Sequence, residues 1–183
     1  YRIREVLLVA SQFDRYNLEE SGYLAEILQE EYSILNLSQA PRIIHSPDAD
    51  DAMWLLSSRS FDLVITMSKV GSIDAYAFAK LVKEKHGEIP VVMLSQNTRE
   101  LASLKTGNGI DRIFVWSGDS RILLSICKLI EDEKNVENDV RDGDVQVILL
   151  VEDSRRFYSA YLPLLYTQLV RQTSRLIGDV GNL

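Results

Sequence analysis

Two adjacent carboxylates, Glu152 and Asp153, follow the apolar run at 147–151 directly. In an open parallel sheet, functional residues lie just beyond the carboxyl ends of the strands. Two carboxylates at such a strand end can hold a hard divalent cation such as Mg²⁺, which prefers oxygen ligands. They can equally favour the N-terminus of the helix that follows, where negative charge is stabilising. The spacing alone leaves both interpretations open.

Other residues with reactive side chains give weaker signals. His45 and His86 lie far apart in the sequence and outside the expected strand ends, so they do not suggest a catalytic pair. Cys127 falls on the apolar stripe of a predicted helix, which favours a buried small hydrophobe. As the single cysteine of the chain it excludes an internal disulfide and a cysteine-rich zinc site, in agreement with a reducing cytoplasm.

Composition excludes several classes of protein. The chain has 183 residues, of which 46% are hydrophobic and 26% charged, as in an ordinary globular protein. The net charge of -7 argues against binding to a nucleic-acid backbone, which calls for a basic surface. The apolar runs are too short to span a membrane, and no leader peptide opens the sequence. We therefore predict a cytoplasmic protein with neither nucleic acid nor membrane as its partner.

Short apolar runs that favour β-strands alternate with amphipathic helical patterns. Five strands and five helices in the first two thirds of the chain predict a parallel sheet covered on both faces. Asp48 and Asp74 are predicted to cap helices, and Thr98 a shorter helix that ends before Gly107. A sixth strand at 145–151 and a long helix at 157–177, interrupted by Pro163, follow. The five predicted sheet strands are 6–9, 42–45, 63–66, 91–94 and 113–115.

An acidic segment separates the two parts of the chain. Residues 131–144 hold seven acidic and two basic side chains, a local charge of -5. Too few apolar residues occur there to offset the entropy of ordering. The segment is predicted to be a solvated linker or the exposed end of a long helix.

Four runs carry a resemblance to a known family. Residues 61–67 (FDLVITM), 89–95 (IPVVMLS) and 109–115 (GIDRIFV) match, in order, three strand regions of response-regulator receiver domains. Residues 148–154 (ILLVEDS) resemble the opening strand and acidic pair of a second such domain. The resemblance implies a flavodoxin-like, doubly wound α/β fold. Its five parallel strands would have the order 2-1-3-4-5, followed by a strand and long helix of an incomplete second unit.

The same resemblance implies a degenerate site. Receivers take a phosphoryl group from a histidine kinase onto an aspartate, with the help of Mg²⁺, a hydroxyl residue and a lysine. Here the acidic-pair positions are Ala10 and Ser11, the acceptor position is Met67 and the lysine position is Trp116, while Ser95 keeps the hydroxyl. A thioether is no phosphoryl acceptor, and nothing remains to hold the metal. Met67 and Trp116 are then inert filling of the pocket or the lining of a binding surface.

We therefore expect a degenerate receiver-like domain at 1–132, an acidic linker at 133–144 and the start of a second receiver-like unit at 145–183. Its function would be non-catalytic regulation in a multidomain two-component-type protein, without a cofactor in residues 1–183. Self-association through 145–183, or packing of its helix on the first unit, is expected because that helix has a long apolar face. A histidine kinase or downstream domains are further partners. The alternatives are a phosphoacceptor in the second unit, with Mg²⁺ on Glu152 and Asp153, and a small-molecule sensor at the degenerate pocket.

Overall fold

A computed structural model describes residues 1–19, 24–35, 37, 39–97, 99–101, 103–143 and 145–180, with side chains as far as residue 172. The strands are β1 (Glu5–Val9), β2 (Arg42–Ser46), β3 (Leu63–Met67), β4 (Lys69–Val70), β5 (Ile73–Asp74), β6 (Val91–Ser95) and β7 (Arg112–Val115). The helices are α1 (Gln12–Leu18), α2 (Leu24–Ile34), α3 (Ala49–Ser58), α4 (Ala75–Lys85), α5 (Arg121–Gly143) and α6 (Arg155–Val180).

The main sheet is parallel and has the order β2-β1-β3-β6-β7. Because β4 and β5 form a separate small hairpin, the sheet strands follow the order 2-1-3-4-5 when counted along the chain. This confirms the predicted flavodoxin-like fold. All five predicted sheet strands form, and each is one residue longer than the apolar run that predicted it.

The sheet separates two hydrophobic cores. Alternate residues of β1 point to opposite faces, so that Val6 and Leu8 lie in one core and Leu7 and Val9 in the other. The first core is completed by apolar residues of α2, α5 and α6, and the second by those of α3 and α4. Both faces of the sheet are therefore buried, which explains why its strands are apolar throughout rather than alternating.

The predicted caps of two helices are present. The Asp48 carboxylate accepts a hydrogen bond from the Asp51 N–H at the start of α3, and Asp74 accepts one from Ala77 at the start of α4. The described residues of the predicted helix after residue 98 form only turns, in which the Glu100 carbonyl oxygen accepts from the Ser103 and Leu104 N–H groups. Thr98, its predicted cap, lies outside the described residues.

Gly109 shows why the turn before β7 needs glycine. Its φ of +92° is unfavourable for a residue with a side chain, and a Cβ there would lie 2.7 Å from the carbonyl carbon of Ala79. The turn thus packs directly on the backbone of α4.

The C-terminal part differs from the prediction in two respects. Residues 145–151, predicted to be a strand, form no regular secondary structure and pair with no strand in the described part of the chain. The apolar pattern gives β propensity, but a strand also needs a free neighbouring edge, and α6 occupies the edge of β7. Pro163 does not interrupt the long helix, since α6 continues through it with the ring buried. Packing along α6 thus outweighs the cost of one lost backbone hydrogen bond.

The acidic segment is the exposed end of α5, one of its two predicted forms. Its first residue, Glu131, is buried: the carboxylate accepts a hydrogen bond from the Ile3 N–H at 2.8 Å and pairs with Lys128 at 2.6 Å. Residues 133, 134 and 136–143 are exposed, while Asp132 exposes part of its surface and has its carboxylate partly buried against Tyr166. Among the described residues, no helix is both long and apolar enough to cross a membrane.

Candidate functional site

The five residues of the predicted degenerate site end or follow strands at the carboxyl ends of the parallel strands, which we call the degenerate edge. Ala10 and Ser11 follow β1, Met67 ends β3, Ser95 ends β6 and Trp116 follows β7. The register of the parallel strands places their carboxyl ends side by side: Val9 lies opposite Thr66, Met67 opposite Leu94, and Ser95 opposite Val115. The sheet therefore positions the predicted set at a single edge.

The two residues after β1 make hydrogen bonds to neighbouring strands and to the start of α1. Ala10 is fully buried, its N–H donates to the Ser46 carbonyl oxygen at 3.0 Å, and its own carbonyl oxygen lies 2.7 Å from His45 Nε2. Ser11 is the N-cap of α1: its hydroxyl oxygen accepts from the Asp14 N–H at 3.1 Å and its O–H donates to the Asp14 carboxylate at 2.7 Å. Neither position offers a carboxylate, and both are used in holding β1, β2 and α1 together.

Met67 is buried, with 4% of its surface exposed. Its thioether packs in the first core, where the end of β3 meets β6. Directly after it the chain forms the β4–β5 hairpin, in which Val70 is also buried. Gly71 at the turn has a φ of +65°, and a Cβ there would be 3.1 Å from Asp48 Cβ, so the hairpin lies close against the start of α3. The acceptor position is therefore enclosed by apolar packing.

Ser95 and Trp116 are joined through the backbone. The Trp116 N–H donates to the Ser95 carbonyl oxygen at 2.8 Å. The Ser95 hydroxyl accepts from the Asn97 N–H at 3.2 Å and lies 3.4 Å from the Asn97 carbonyl oxygen. The Trp116 indole is partly buried against the first core. These contacts are those of a serine that closes a turn after a strand.

The donor set of this edge does not fit a divalent cation. Mg²⁺ is held by carboxylates and keeps several waters, and the positions after β1 and at the end of β3 supply none. Within the described ranges there is no group of three or more histidine, cysteine or acidic side chains that could hold a metal. No metal-assisted step can be derived from residues 1–132.

Glu152 and Asp153 lie just before α6. The Glu152 Oε1 accepts a hydrogen bond from the Ser154 N–H at 2.9 Å, and the Ser154 hydroxyl lies 3.5 Å from the Phe157 N–H at the start of the helix. Asp153 is exposed. The Glu152 contact belongs to the turn that begins the helix, as the capping interpretation requires. The role of these residues as a metal pair stays a prediction.

The first half of α6 packs on the outer edge of β7, and the prediction that this helix packs on the first unit is confirmed. The Val115 N–H points away from β6 and donates to the hydroxyl oxygen of Ser159 at 2.9 Å. The Ser159 O–H donates in turn to the Arg155 carbonyl oxygen at 2.7 Å. The Arg155 guanidinium donates to the Leu101 carbonyl oxygen at 2.9 Å, and the Tyr158 ring lies 6.1 Å from that of Phe114.

A second polar contact joins α6 to α5. The Tyr166 O–H donates to the Asp132 carboxylate at 2.6 Å. Burial raises the pKa of Asp132 above its ordinary value, and this hydrogen bond only partly opposes the shift. Burial likewise raises the pKa of the Tyr166 hydroxyl, which the neighbouring Asp132 charge raises further. Asp132 and Tyr166 are therefore joined by one hydrogen bond at the interface of α5 and α6, with the phenol as the donor.

Sequence reasoning missed these contacts, although one signal was available. Ser159, Leu162 and Tyr166 lie on one stripe of α6, with two polar residues among the apolar ones, and all three are buried. Buried polar groups require hydrogen-bond partners. Their partners, Val115 and Asp132, lie on different elements and cannot be deduced from the sequence.

An open groove of about 610 Å³ lies between α5, α6 and residues 145–150. Its walls are mostly apolar, with Leu129, Val136 and Val140 on α5 and Leu165 on α6. Carboxylates of Asp132, Glu133, Asp139 and Glu152 also line it, together with the guanidinium groups of Arg112 and Arg155.

Comparisons with known proteins identify the fold. No family model matches the chain, and no curated protein matches it by sequence. Among solved structures, the signal receiver domain of an HD domain-containing protein from Pseudomonas fluorescens Pf-5 matches with a TM-score of 0.54 and 23% identity. The match covers 76% of this chain and 94% of that domain.

Two longer proteins match as well. NtrX from Brucella abortus, solved with ADP, gives a TM-score of 0.56 at 20% identity; the match covers 93% of this chain and 33% of NtrX. The response regulator DrrB of Thermotoga maritima, an OmpR/PhoB homolog, gives 0.52 at 16% identity, covering 72% of this chain and 54% of DrrB.

The class of protein is thus a doubly wound α/β domain with a flavodoxin-like sheet. Within that class, the chain has the fold of the receiver domains of response regulators, as the runs at 61–67, 89–95 and 109–115 predicted.

Proposed function

We propose that residues 1–132 are a signalling module that keeps the receiver fold but does not accept a phosphoryl group. It acts in the cytoplasm as a non-catalytic part of a multidomain two-component-type protein and transmits a signal through protein contacts. The observation that carries this proposal is Met67, a buried thioether at the acceptor position.

The electrostatics of the edge support the proposal. Transfer of a phosphoryl group concentrates negative charge, which the protein must neutralise with a metal ion or with cations. Ala10, Ser11 and Met67 offer no metal ligand of the required kind, and an indole stands at the lysine position. Each missing group would have to be restored before the reaction could proceed.

The position of α6 supports transmission by contact. The first turns of α6 contact the Leu101 carbonyl oxygen and the Val115 N–H, and Val115 directly precedes Trp116 of the predicted site. A displacement at the carboxyl ends of the strands would therefore move the C-terminal helix. NtrX and DrrB, which share the fold, are longer than this chain, as expected for a module that works within larger proteins. We infer a histidine kinase or downstream domains as partners, and a second copy that associates through residues 145–183.

Residues 145–183 are inferred to begin a second receiver-like domain, after the acidic linker at 133–144. The carboxylate pair Glu152–Asp153 favours a second candidate function, in which this domain, completed in a longer chain, accepts the phosphoryl group with Mg²⁺ bound to the pair. Within the described part of the chain, the pair does not belong to a group of three or more histidine, cysteine or acidic side chains that could hold a metal.

A small phosphodonor tests the main proposal. The full chain is incubated with acetyl phosphate and Mg²⁺, beside a receiver that has an aspartate acceptor, and intact mass is measured. We expect no added phosphoryl group on this chain while the control is labelled. Stoichiometric, magnesium-dependent formation of an acyl phosphate within residues 1–132 would contradict the proposal.

A small-molecule sensor is a further candidate function, favoured by one buried polar atom of Gln96. In the described residues, the Gln96 side-chain nitrogen is buried without a hydrogen-bond partner, directly after Ser95 at the degenerate edge. A ligand carbonyl or carboxylate would satisfy it. Titration with a panel of polar metabolites, followed by Trp116 fluorescence, tests this function; a Gln96→Leu variant should lose any response.

A further inference from the structure

One side of helix α6 makes the contacts with the first unit. Ser159, Leu162 and Tyr166 are buried on this side, which we call the docked face of α6. The Ser159 hydroxyl oxygen accepts from the Val115 N–H of β7, and the Tyr166 O–H donates to the Asp132 carboxylate of α5. The docked face therefore joins the helix to two different elements of the first unit.

The opposite side of α6 is apolar as well. Phe157, Tyr161 and Leu164 have 50%, 47% and 53% of their surface exposed, and we call this stripe the exposed face of α6. The rings of Phe157 and Tyr161 stack on it with their centroids 6.1 Å apart. At about 100° per residue, the centres of the two faces lie roughly 165° apart around the helix axis. Contacts made by the docked face therefore leave the exposed face accessible.

The sequence before α6 indicates what its exposed face packs against. The proposed second receiver-like domain opens with the apolar run at 147–151, and α6 follows this run as the first helix of that domain. A parallel sheet is covered by its crossover helices, so the first helix must give one apolar stripe to its own sheet. Because the docked face is occupied by β7 and α5, the exposed face is the apolar stripe that remains for this sheet.

We propose that α6 is shared by the two units: its docked face stays on the first unit while its exposed face packs on the sheet of the second. This inference rests on the proposed second receiver-like domain and assigns how that domain joins the first. The two units then form one rigid body around α6, so a movement at the carboxyl end of β7 is passed directly to the second sheet. Residues 133–143, the helical end of α5, connect units that are already in contact.

Two leucines on opposite sides of α6 test the division into faces in the chain of 183 residues. The Val115 amide reports docking, because its N–H is bonded to Ser159 and exchanges with solvent when α6 leaves β7. Leu162→Ala removes buried packing and should speed this exchange at least about tenfold. Leu164→Ala is the matched control on the exposed face and should leave the exchange unchanged. Equal effects of the two variants would contradict the two-faced helix.

Thiol labelling tests what covers the exposed face. Leu164→Cys is made in residues 1–183 and in the longer chain that completes the second unit, and alkylation by iodoacetamide is timed under native conditions. Because Cys127, the single native cysteine, is buried, the new thiol reports alone. A covered thiol reacts only through local opening, so labelling should be at least about tenfold slower in the longer chain. The Val115 amide should stay as protected as in residues 1–183. Trp54→Cys, exposed on α3, is the control and should label equally fast in both chains.

Three results would overturn the inference. Loss of Val115 protection in the longer chain would mean that α6 leaves the first unit when the second is complete. Equal labelling of Leu164→Cys in both chains would mean that the second unit does not cover the exposed face. Labelling that slows only as the protein concentration rises would assign this face to a second copy instead.

The failure of the shared helix can be distinguished from the failure of the proposals on which it rests. Protection of the amides of residues 147–151 in the longer chain reports separately whether the second sheet forms. If these amides are protected while Leu164→Cys labels fast, the second domain stands and the shared helix is wrong; if they are unprotected, both fail. Labelling of residues 1–132 by acetyl phosphate would refute the non-accepting function without changing either readout on α6.

Discussion

Replacement of Ser159 by alanine should loosen α6 from the sheet. The Ser159 hydroxyl is the acceptor for the Val115 N–H, which points to the outer edge of β7 and is buried there. Alanine leaves that N–H without a partner while α6 is docked. A buried donor left unsatisfied costs about 1–3 kcal/mol. The lost O–H contact to the Arg155 carbonyl oxygen adds little, because it lies within one helix.

That cost weakens docking of α6 by a factor of roughly 5 to 150, at about 1.4 kcal/mol for each tenfold change. Hydrogen exchange read at the Val115 amide measures it, because this N–H exchanges only when α6 leaves the edge. We expect the Val115 amide to exchange faster in Ser159→Ala by the same factor. Amides inside β1 and β3 should keep their rates, since the sheet itself is unchanged.

Ser125→Ala is the matched control. Ser125 is as buried as Ser159 and its hydroxyl also donates to a carbonyl four residues earlier, that of Arg121, but it accepts no hydrogen bond from β7. It should leave exchange at Val115 unchanged. Equal exchange of the Val115 amide in Ser159→Ala and in the unmodified chain would refute the reasoning, because it would show that the helix does not protect this edge.

Three further outcomes are expected. Burial raises the pKa of Asp132 when α6 is docked, so docking should strengthen as the pH falls from neutral through that raised pKa and weaken as the pH rises. Tyr166→Phe removes the hydrogen-bond donor that favours the Asp132 carboxylate and should raise the pKa of Asp132 further, which carboxyl NMR titration measures. Met67→Asp should lower the free energy of unfolding by about 3 kcal/mol or more in urea denaturation, because it buries an unpaired carboxylate, and should remain unlabelled by acetyl phosphate. Gly109→Ala should cost roughly 1–3 kcal/mol in the same assay, since its φ is positive and its Cβ would meet the Ala79 backbone; an unchanged midpoint would contradict this.

The main sheet could be predicted from the sequence because each strand is buried on both faces. The five strands are then continuous apolar runs, and each run identified its strand to within one residue. The sheet also brings the predicted site positions to one end of the strands, since Met67 ends β3 and Trp116 follows β7, but the role of that site stays a prediction. Local pattern was sufficient for the strands, whereas the site positions came from the resemblance to receivers.

The C-terminal part could not be predicted in the same way, because its structure depends on partners distant in the sequence. Residues 145–151 have the composition of a strand, but pairing depends on whether a neighbouring edge is free, and α6 takes that of β7. The contact between Val115 and Ser159 spans 44 residues and involves a backbone N–H, which no side-chain pattern marks. The burial of Glu131 likewise depends on Ile3 at the other end of the chain.

The small hairpin after Met67 is a structural obstacle to phosphoryl chemistry at this position. The chain leaves the acceptor position, turns at Gly71 against the start of α3 and enters α4 through the Asp74 cap, with Val70 buried between. An aspartate at position 67 would need water, a metal and room for a bulky anion where this turn now lies. The hairpin thus ties the end of β3 to the starts of two helices, so a change of side chain at position 67 would be felt at α3 and α4 as well as in the core.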